Sequence, residues 1–202
     1  MGLISAASTI FDAGSMVAGG SMTFIKKLTA SGSGTLSFVD GASGVVLDDT
    51  YKEYVFTFNN IHPATDAAVF QFNVSIDTGS NYNVVKTTTN FRAYHSESGS
   101  ASSLNYHAGE DLAQGTGFQT LCYDIGNDGD QSASGSMTLF NPSSTTFVKH
   151  FISSCPMVIN ADYAAITNVA GYANTTSAVD AVQFKMNSGN IDVGDICLYG
   201  IA

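Results

Sequence analysis

The sequence predicts an all-β fold, an antiparallel β-sandwich of the jelly-roll type, on three observations. Apolar and polar residues alternate in several segments, and this period places apolar side chains on one face of a strand. No segment of comparable length has apolar residues at helical spacing. Clusters of Gly, Asn, Asp and Ser separate the alternating segments, and about eight to ten strands at regular spacing are typical of a sandwich or jelly roll.

The alternating segments, in chain order, are residues 54–58, 70–77, 147–152 and 182–186. Residues 196–201 are apolar on both faces, which suits a strand inside a sandwich. In the third segment Phe147, Lys149 and Phe151 are expected to share one face. The second segment is expected to bury Phe70, Phe72, Val74 and Ile76, and to point Gln71, Asn73, Ser75 and Asp77 away from the core.

Turn-forming residues punctuate the chain between these segments, for example at 31–34, 77–80, 126–130 and 187–190. Such residues tolerate positive φ or bond their own backbone, so they predict tight connections between strands. The best candidates for a short helix are residues 43–49 and 110–114.

The charge balance excludes some classes of partner. The 202 residues carry a net charge of −10, from 7 basic and 17 acidic side chains, and only 12% of residues are charged. Lys26 and Lys27 are the only adjacent basic pair, whereas nucleic acids and anionic membranes require clustered basic residues. A surface with so few charges suits packing against protein neighbours, because little charge has to be desolvated. The alternative is a neutral Ser- and Thr-rich surface without a partner.

Cysteine and histidine usage predicts neither a disulfide framework nor a metal centre. The three cysteines, Cys122, Cys155 and Cys197, are odd in number and far apart, and no CxxC occurs, so buried free thiols are expected. The four histidines form no pair at metal-ligand spacing. No cofactor is expected.

Residues 1–22 differ from the remainder of the chain. They are rich in Gly, Ala and Ser and show no strict period, and they lack the basic segment of a secretory signal. One interpretation is an attachment arm that becomes ordered against a partner, followed by one domain at residues 23–202. The other is a first strand or a frayed terminus. The arm would contact its partner through Ile4, Ile10, Phe11, Met16 and Val17.

The sequence contains no catalytic signature. The segment 41–45 approaches the G-x-S-x-G motif of serine hydrolases but has Val45 in place of the last glycine. A glycan hydrolase would need two facing carboxylates, and Glu53, Glu97, Glu110 and Asp111 are candidates that no spacing selects as a pair. A non-enzymatic protein is therefore expected, with no catalytic residues.

Two further features bear on ligands. The acidic segment from Asp124 to Asp130 resembles a calcium loop but has Gly126 and Gly135 at positions where an EF-hand supplies ligands, so a solvated turn is expected and an irregular cation site is the alternative. Four tyrosines fall in or near polar segments: Tyr82, Tyr94, Tyr106 and Tyr123. They either cap the sandwich or contact a glycan or protein partner. The glycan hypothesis expects residues such as Tyr94 and Tyr106 to converge on one face.

Seven runs of residues carry a resemblance to a known family. They are 25–30 (IKKLTA), 37–41 (SFVDG), 57–65 (TFNNIHPAT), 139–150 (LFNPSSTTFVKH), 169–172 (VAGY), 184–192 (FKMNSGNID) and 198–201 (LYGI). From about Thr23 onward the chain resembles small structural or tail-fibre-like virion proteins of marine bacteriophages.

The resemblance implies a virion component that assembles in the cytoplasm of a bacterial host. It further implies a head decoration (cement) protein or a tail-fibre component, packed against other virion proteins and trimeric around a three-fold axis. No catalytic or ligand-binding residues come with the family. The competing hypothesis is a carbohydrate-binding module that recognises host surface glycans.

Overall fold

The computed structural model describes residues 22–202 in full. Of residues 1–21 it describes the backbone of β1 (Ile4–Ser5), β2 (Ser8–Thr9), β3 (Phe11–Asp12) and β4 (Ser15–Met16), which form two short antiparallel pairs. Ile10 and Val17 lie outside the described residues, as do the side chains of Ile4, Phe11 and Met16. The attachment arm therefore stays a prediction.

From residue 22 to residue 202 the chain contains twelve strands and no helix. The strands are β5 (Met22–Ser33), β6 (Leu36–Val39), β7 (Glu53–Pro63), β8 (Ala68–Ser75), β9 (Lys86–Ser96), β10 (Ser102–Tyr106), β11 (Gln119–Ile125), β12 (Ala133–Phe140), β13 (Lys149–Ile159), β14 (Tyr163–Ala173), β15 (Ala181–Met186) and β16 (Ile191–Ile201). The predicted all-β class is confirmed. The two helical candidates, 43–49 and 110–114, are turns, bends and irregular backbone.

The strands form two layers. The larger layer has the order β5-β16-β7-β12-β13-β14-β9-β10, and the smaller has the order β6-β15-β8-β11. Every pairing is antiparallel, and the layers are joined at one corner, where Ile125 of β11 pairs with Ile159 of β13.

The pairing of eight of these strands is nested. The first pairs with the last (β5 with β16), and the next pairs inward are β6 with β15, β7 with β12, and β8 with β11. A long hairpin folded over itself in this way is a jelly roll, which confirms the predicted architecture. The remaining strands are two insertions, β9-β10 and β13-β14. Both join the larger layer beyond β12, and we call these four strands the extension.

Aromatic rings fill the space between the layers. Phe184 of β15 lies at the centre, with its ring 5.3 Å from those of Phe56 and Phe58 and 5.8 Å from that of Phe70. All four side chains are buried. Since Phe56 and Phe58 belong to β7 in the larger layer and the others to the smaller layer, this cluster fixes one layer against the other.

Two details of the predicted strand faces are wrong. Asn73 and Ser75, which were expected to face solvent, are fully buried, because the segments around Tyr82 and Thr116 cover the outer side of β8. Ile76, which is expected to be buried, is 43% exposed, and Phe147, which is expected to share a face with Lys149 and Phe151, is 68% exposed although both of those side chains are buried. Ile76 follows the end of β8 and Phe147 precedes β13, so neither has a neighbouring strand to cover it.

Asn73 holds that covering layer in place. Its side-chain amide donates to the backbone carbonyls of Tyr82 (2.6 Å) and Thr116 (3.0 Å). Its carbonyl oxygen accepts from Nζ of Lys86 at 2.5 Å, and Lys86 also donates to the carbonyl of Val84. Lys86 is fully buried, and burial lowers the pKa of its amine to about 7.

Replacing Asn73 with alanine is expected to lower the free energy of unfolding by about 1–3 kcal/mol, because buried polar groups lose their partner. Urea denaturation of the parent and the variant measures this difference. The matched control is Gln71→Ala, on the same face of β8 but half-buried, and it should lose less. Equal stability of parent and Asn73→Ala would show that other contacts hold the covering segments.

Candidate functional site

The outer surface of the extension is the first candidate site. Cross-strand pairing aligns its outward residues in rows, such as Pro156–Ile166–Ala93–Leu104. We call the full set the packing face. Its members are Thr87, Thr89, Phe91, Ala93, His95, Ser102, Leu104, Tyr106, His150, Ile152, Ser154, Pro156, Val158, Ala164, Ile166, Asn168, Ala170 and Tyr172.

The packing face carries no Asp, Glu, Lys or Arg at any of its eighteen positions. At the chain's charged fraction of 12%, about two charges would fall there by chance, and exposed positions normally hold most of a protein's charge. Large apolar side chains stand out from it instead: Leu104 is 72% exposed, Ile152 53% and Phe91 45%. An exposed face of this kind is a candidate site of interaction.

The packing face is not flat and contains two depressions. One hollow of about 330 Å³ lies over Gly171, between Thr87, His150 and Tyr172. A second hollow of about 360 Å³ lies over the alanines at 93 and 164, beside Ile166. Small residues therefore leave depressions next to the protruding side chains, and a docked surface could fill them by interdigitation.

The packing face is close to the size of a protein interface. Three strands of 11 residues and one of 5, at ~3.4 Å per residue and ~4.8 Å between strands, cover roughly 600 Å². A standard interface buries about 800 Å² on each partner. Residues at the rim, such as the exposed Phe147, can supply the difference.

The second candidate site is a groove on the opposite, inner side of the extension. The smaller layer is narrower than the larger one and ends at β11, so the inner side of β9 and β14 stays partly uncovered beside it. A cleft of about 240 Å³ remains there. Its walls carry Arg92, Tyr94, Tyr123 and Tyr163, and we call it the tyrosine groove.

Aromatic and cationic groups stack along the tyrosine groove. The guanidinium carbon of Arg92 lies 4.8 Å from the ring centre of Tyr123 and 5.3 Å from that of Tyr94. Tyr163 packs edge-on against Tyr94 at 5.6 Å, and His107 packs edge-on against Tyr123 at 4.6 Å. Such contacts stabilise the arrangement of these rings along the groove.

The guanidinium of Arg92 has an N–H donor without a hydrogen-bond partner among the described residues. This donor is its buried Nε. The ion pairs found within residues 22–202 are Lys27–Asp195 and His62–Asp192, so no carboxylate there lies within 4 Å of Arg92. Burial and the charge of Arg92 lower the pKa of His107, which disfavours a second cation beside Arg92. Arg92 is therefore the cation that the described residues place in this groove.

The four predicted tyrosines do not share one place. Tyr94 and Tyr123 meet in the tyrosine groove. Tyr106 lies on the packing face, the opposite side of the extension from Tyr94, and its hydroxyl donates to Asp111. The expected convergence of Tyr94 and Tyr106 is thus wrong. Tyr94 pairs with Ser103 and Tyr106 pairs with Phe91, so the two tyrosines point to opposite sides of the sheet. Tyr82 is half-buried in the segment that covers β8.

Sequence reasoning missed Arg92 and Tyr163. Arg92 is the sole arginine of the chain and stands two residues before Tyr94 on what proves to be β9. That i, i+2 spacing would have placed both side chains on one face of a strand, but the segment 86–96 has no clear alternation to identify it as a strand.

The predicted acidic residues are partly engaged in hydrogen bonds. Glu110 accepts from the hydroxyl of Thr120, and Asp111 accepts from Tyr106. In residues 22–202, no three His, Cys, Asp or Glu side chains lie close enough to hold a metal ion. No helix of the described chain is long and apolar enough to cross a membrane.

The cysteine prediction is confirmed. Cys122, Cys155 and Cys197 are free and buried. Cys122 of β11 lies beside Cys155 of β13, and burial together with this neighbour raises the pKa of Cys122. These thiols belong to the core.

Comparison with known proteins gives no relative from which a function could be transferred: no family model, no curated protein and no solved structure matches this chain.

Proposed function

We propose that this chain is a non-enzymatic structural protein of a bacteriophage virion, a head decoration (cement) protein or a tail-fibre component, that works by packing against other proteins. The packing face carries the proposal, because an exposed sheet surface without charge and with protruding Leu104 and Ile152 is suited to burial. The sequence resemblance to structural virion proteins supports the assignment of this packing role to a virion.

The occupant of the packing face is a second copy of the chain. Each chain carries a net charge of −10, so two copies repel one another over most of their surfaces. Contact through a charge-free face avoids burying like charges, and such burial would cost several kcal/mol. In a ring each copy turns one part of its packing face to a different part of the next copy's packing face, so the contact is head-to-tail and closes when its rotation fits. Three copies are the number that the resemblance implies.

Solution mass tests the proposal directly. Light scattering on the full chain is expected to give three times the chain mass of 21.1 kDa, and the virion role is checked by mass spectrometry of purified phage particles. A monomer at all accessible concentrations would exclude self-packing. Absence of the chain from the particles would exclude the virion role.

Deleting residues 1–22 is expected to abolish attachment to phage particles without changing the oligomeric mass. The reason is that the packing face and the core of the described residues lie after residue 22, whereas the arm carries the predicted contacts, including Phe11 and Met16. Cosedimentation of purified protein with particles measures attachment. Normal attachment of the shortened chain would show that residues 1–22 are not the arm.

Carbohydrate binding is the second candidate function. The observation that favours it is the meeting of Tyr94 and Tyr123 with Arg92 in one groove, since sugar rings bind through aromatic faces and a few polar groups. A glycan array at high protein concentration tests it, and an array without any bound glycan would remove it.

A further inference from the structure

We infer that the tyrosine groove binds an acidic saccharide, a single sugar ring that bears a carboxylate. The inference deepens the carbohydrate-binding candidate and does not depend on the packing function. It rests on three properties of the groove, which are its size, its aromatic walls and its separated charges.

The size of the groove limits the ligand to about one ring. Its volume of about 240 Å³ lies below the ~300 Å³ at which pockets for drug-sized ligands begin. The groove opens at the side of the sandwich, next to the turn at residues 160–162 that joins β13 to β14. A terminal sugar of a longer chain can enter such a site while the remainder of the glycan stays in solvent.

The walls of the groove suit a ring with an apolar face. Tyr94, Tyr123 and Tyr163 are each half-buried, so part of each ring stays accessible in the groove. The C–H face of a sugar packs against aromatic rings, while phenolic hydroxyls can bond to the sugar's hydroxyl groups. Three tyrosines within one small cleft therefore supply both kinds of contact.

The groove holds a cation and a carboxylate that are not paired with each other. Arg92 and Asp124 both line it, yet they form no ion pair at 4 Å or less. Arg92 is only partly buried, so the terminal N–H groups of its guanidinium can bind a carboxylate with two parallel hydrogen bonds. Asp124 and Asn160 can bond to sugar hydroxyls, so a ring that carries a carboxylate and hydroxyls matches the polar groups of the groove.

The lack of a carboxylate partner for Arg92 favours an anionic ligand. No carboxylate of the described residues lies within 4 Å of its guanidinium. A carboxylate bound at the terminal N–H groups would supply the opposite charge, whereas a neutral sugar would offer only a hydroxyl, which is a weaker acceptor.

Ligand titration of the full-length protein, followed by NMR, tests the inference with four probes: galacturonic acid, N-acetylneuraminic acid, galactose and acetate. At least one acidic sugar is expected to bind about tenfold or more tightly than galactose or acetate, with shifts in Tyr94, Tyr123 and Tyr163. Arg92→Gln should remove this preference. Lys185→Gln, which removes a cation lying 4.3 Å from the ring of Phe118 at a different site, should leave it intact.

Each other outcome is decisive. Equal binding of galactose and the acidic sugars in the groove would overturn the inference while leaving carbohydrate binding in place. Binding of acetate as tightly as the acidic sugars would show a simple anion site. No binding up to the solubility limit would remove both the inference and the carbohydrate-binding candidate, whereas the solution mass would still test the packing function.

Discussion

Replacing Leu104 with glutamate is expected to convert the assembled protein into a monomer. Leu104 is 72% exposed in the single chain, so the change costs little in folding. In the assembly the new carboxylate would lie against an apolar neighbour without a cation nearby. An uncompensated buried charge costs about 3–5 kcal/mol, which corresponds to a dissociation constant roughly 10² to 4 × 10³ times larger. Light scattering across a dilution series measures the shift.

A matched control separates this effect from a general effect of charge. Val193 of β16 is 50% exposed and lies outside the packing face, so Val193→Glu adds the same charge elsewhere and should keep the parent's mass. Thermal melts of both variants report whether the fold is intact. A Leu104→Glu protein with the parent's mass would show that the packing face is not the contact between copies.

The parent protein is expected to gain stability as the pH rises from 7 to 9, and a Lys86→Met variant is expected to lose this gain. Burial lowers the pKa of Lys86 from 10.5 to about 7 in the folded chain. Below pH 7 the amine is protonated in both states, so its contribution is constant. Between pH 7 and 10.5 the unfolded chain binds the additional proton, and the free energy of unfolding rises with pH.

The expected size of the effect follows from the same relation. One pH unit is worth up to about 1.4 kcal/mol, so the rise between pH 7 and 9 is about 2–3 kcal/mol. Urea denaturation at both values gives the difference between the parent and Lys86→Met. The exposed Lys52 provides the control Lys52→Met, which should keep the parent's slope. Measurements stay below pH 10, because burial raises the pKa of Tyr54 and reverses the trend above that value.

An unchanged slope in Lys86→Met would show that the amine keeps its proton in the folded chain. In that case its bonds to Asn73 and to the carbonyl of Val84 would outweigh the cost of burying the charge. The comparison between variants is required because burial also lowers the pKa of Lys149, so a second lysine contributes a slope of the same sign.

Prediction from sequence succeeded where the pattern is local. Alternation at 54–58 and 182–186 predicted strands that the structure contains as parts of β7 and β15, because a side-chain period of two is a property of a single strand. It failed at β9, where the outward face carries Thr87, Thr89 and His95 and the inward face carries Lys86 and Asn90. Neither face is predominantly apolar, because the inward face buries polar residues such as Lys86, whose amine bonds to the distant Asn73.

The candidate sites depended even more on distant contacts. Tyr94 and Tyr106 look alike in sequence, but cross-strand register places them on opposite sides of the extension. Tyr123 comes to the tyrosine groove from the other layer, 31 positions beyond Arg92 in the chain. The packing face is assembled from four strands that become neighbours only when the sheet forms. No short segment of the sequence therefore contains it.

The sequence by itself determined the all-β class, the absence of clustered basic charge and the jelly-roll architecture, because alternation, turn residues and composition are read within short segments. Tertiary structure alone decided which polar residues are buried, which tyrosines meet and which surface lacks charge. The physical reason is that strand pairing brings together residues far apart in the chain, and both the packing face and the tyrosine groove are products of that pairing.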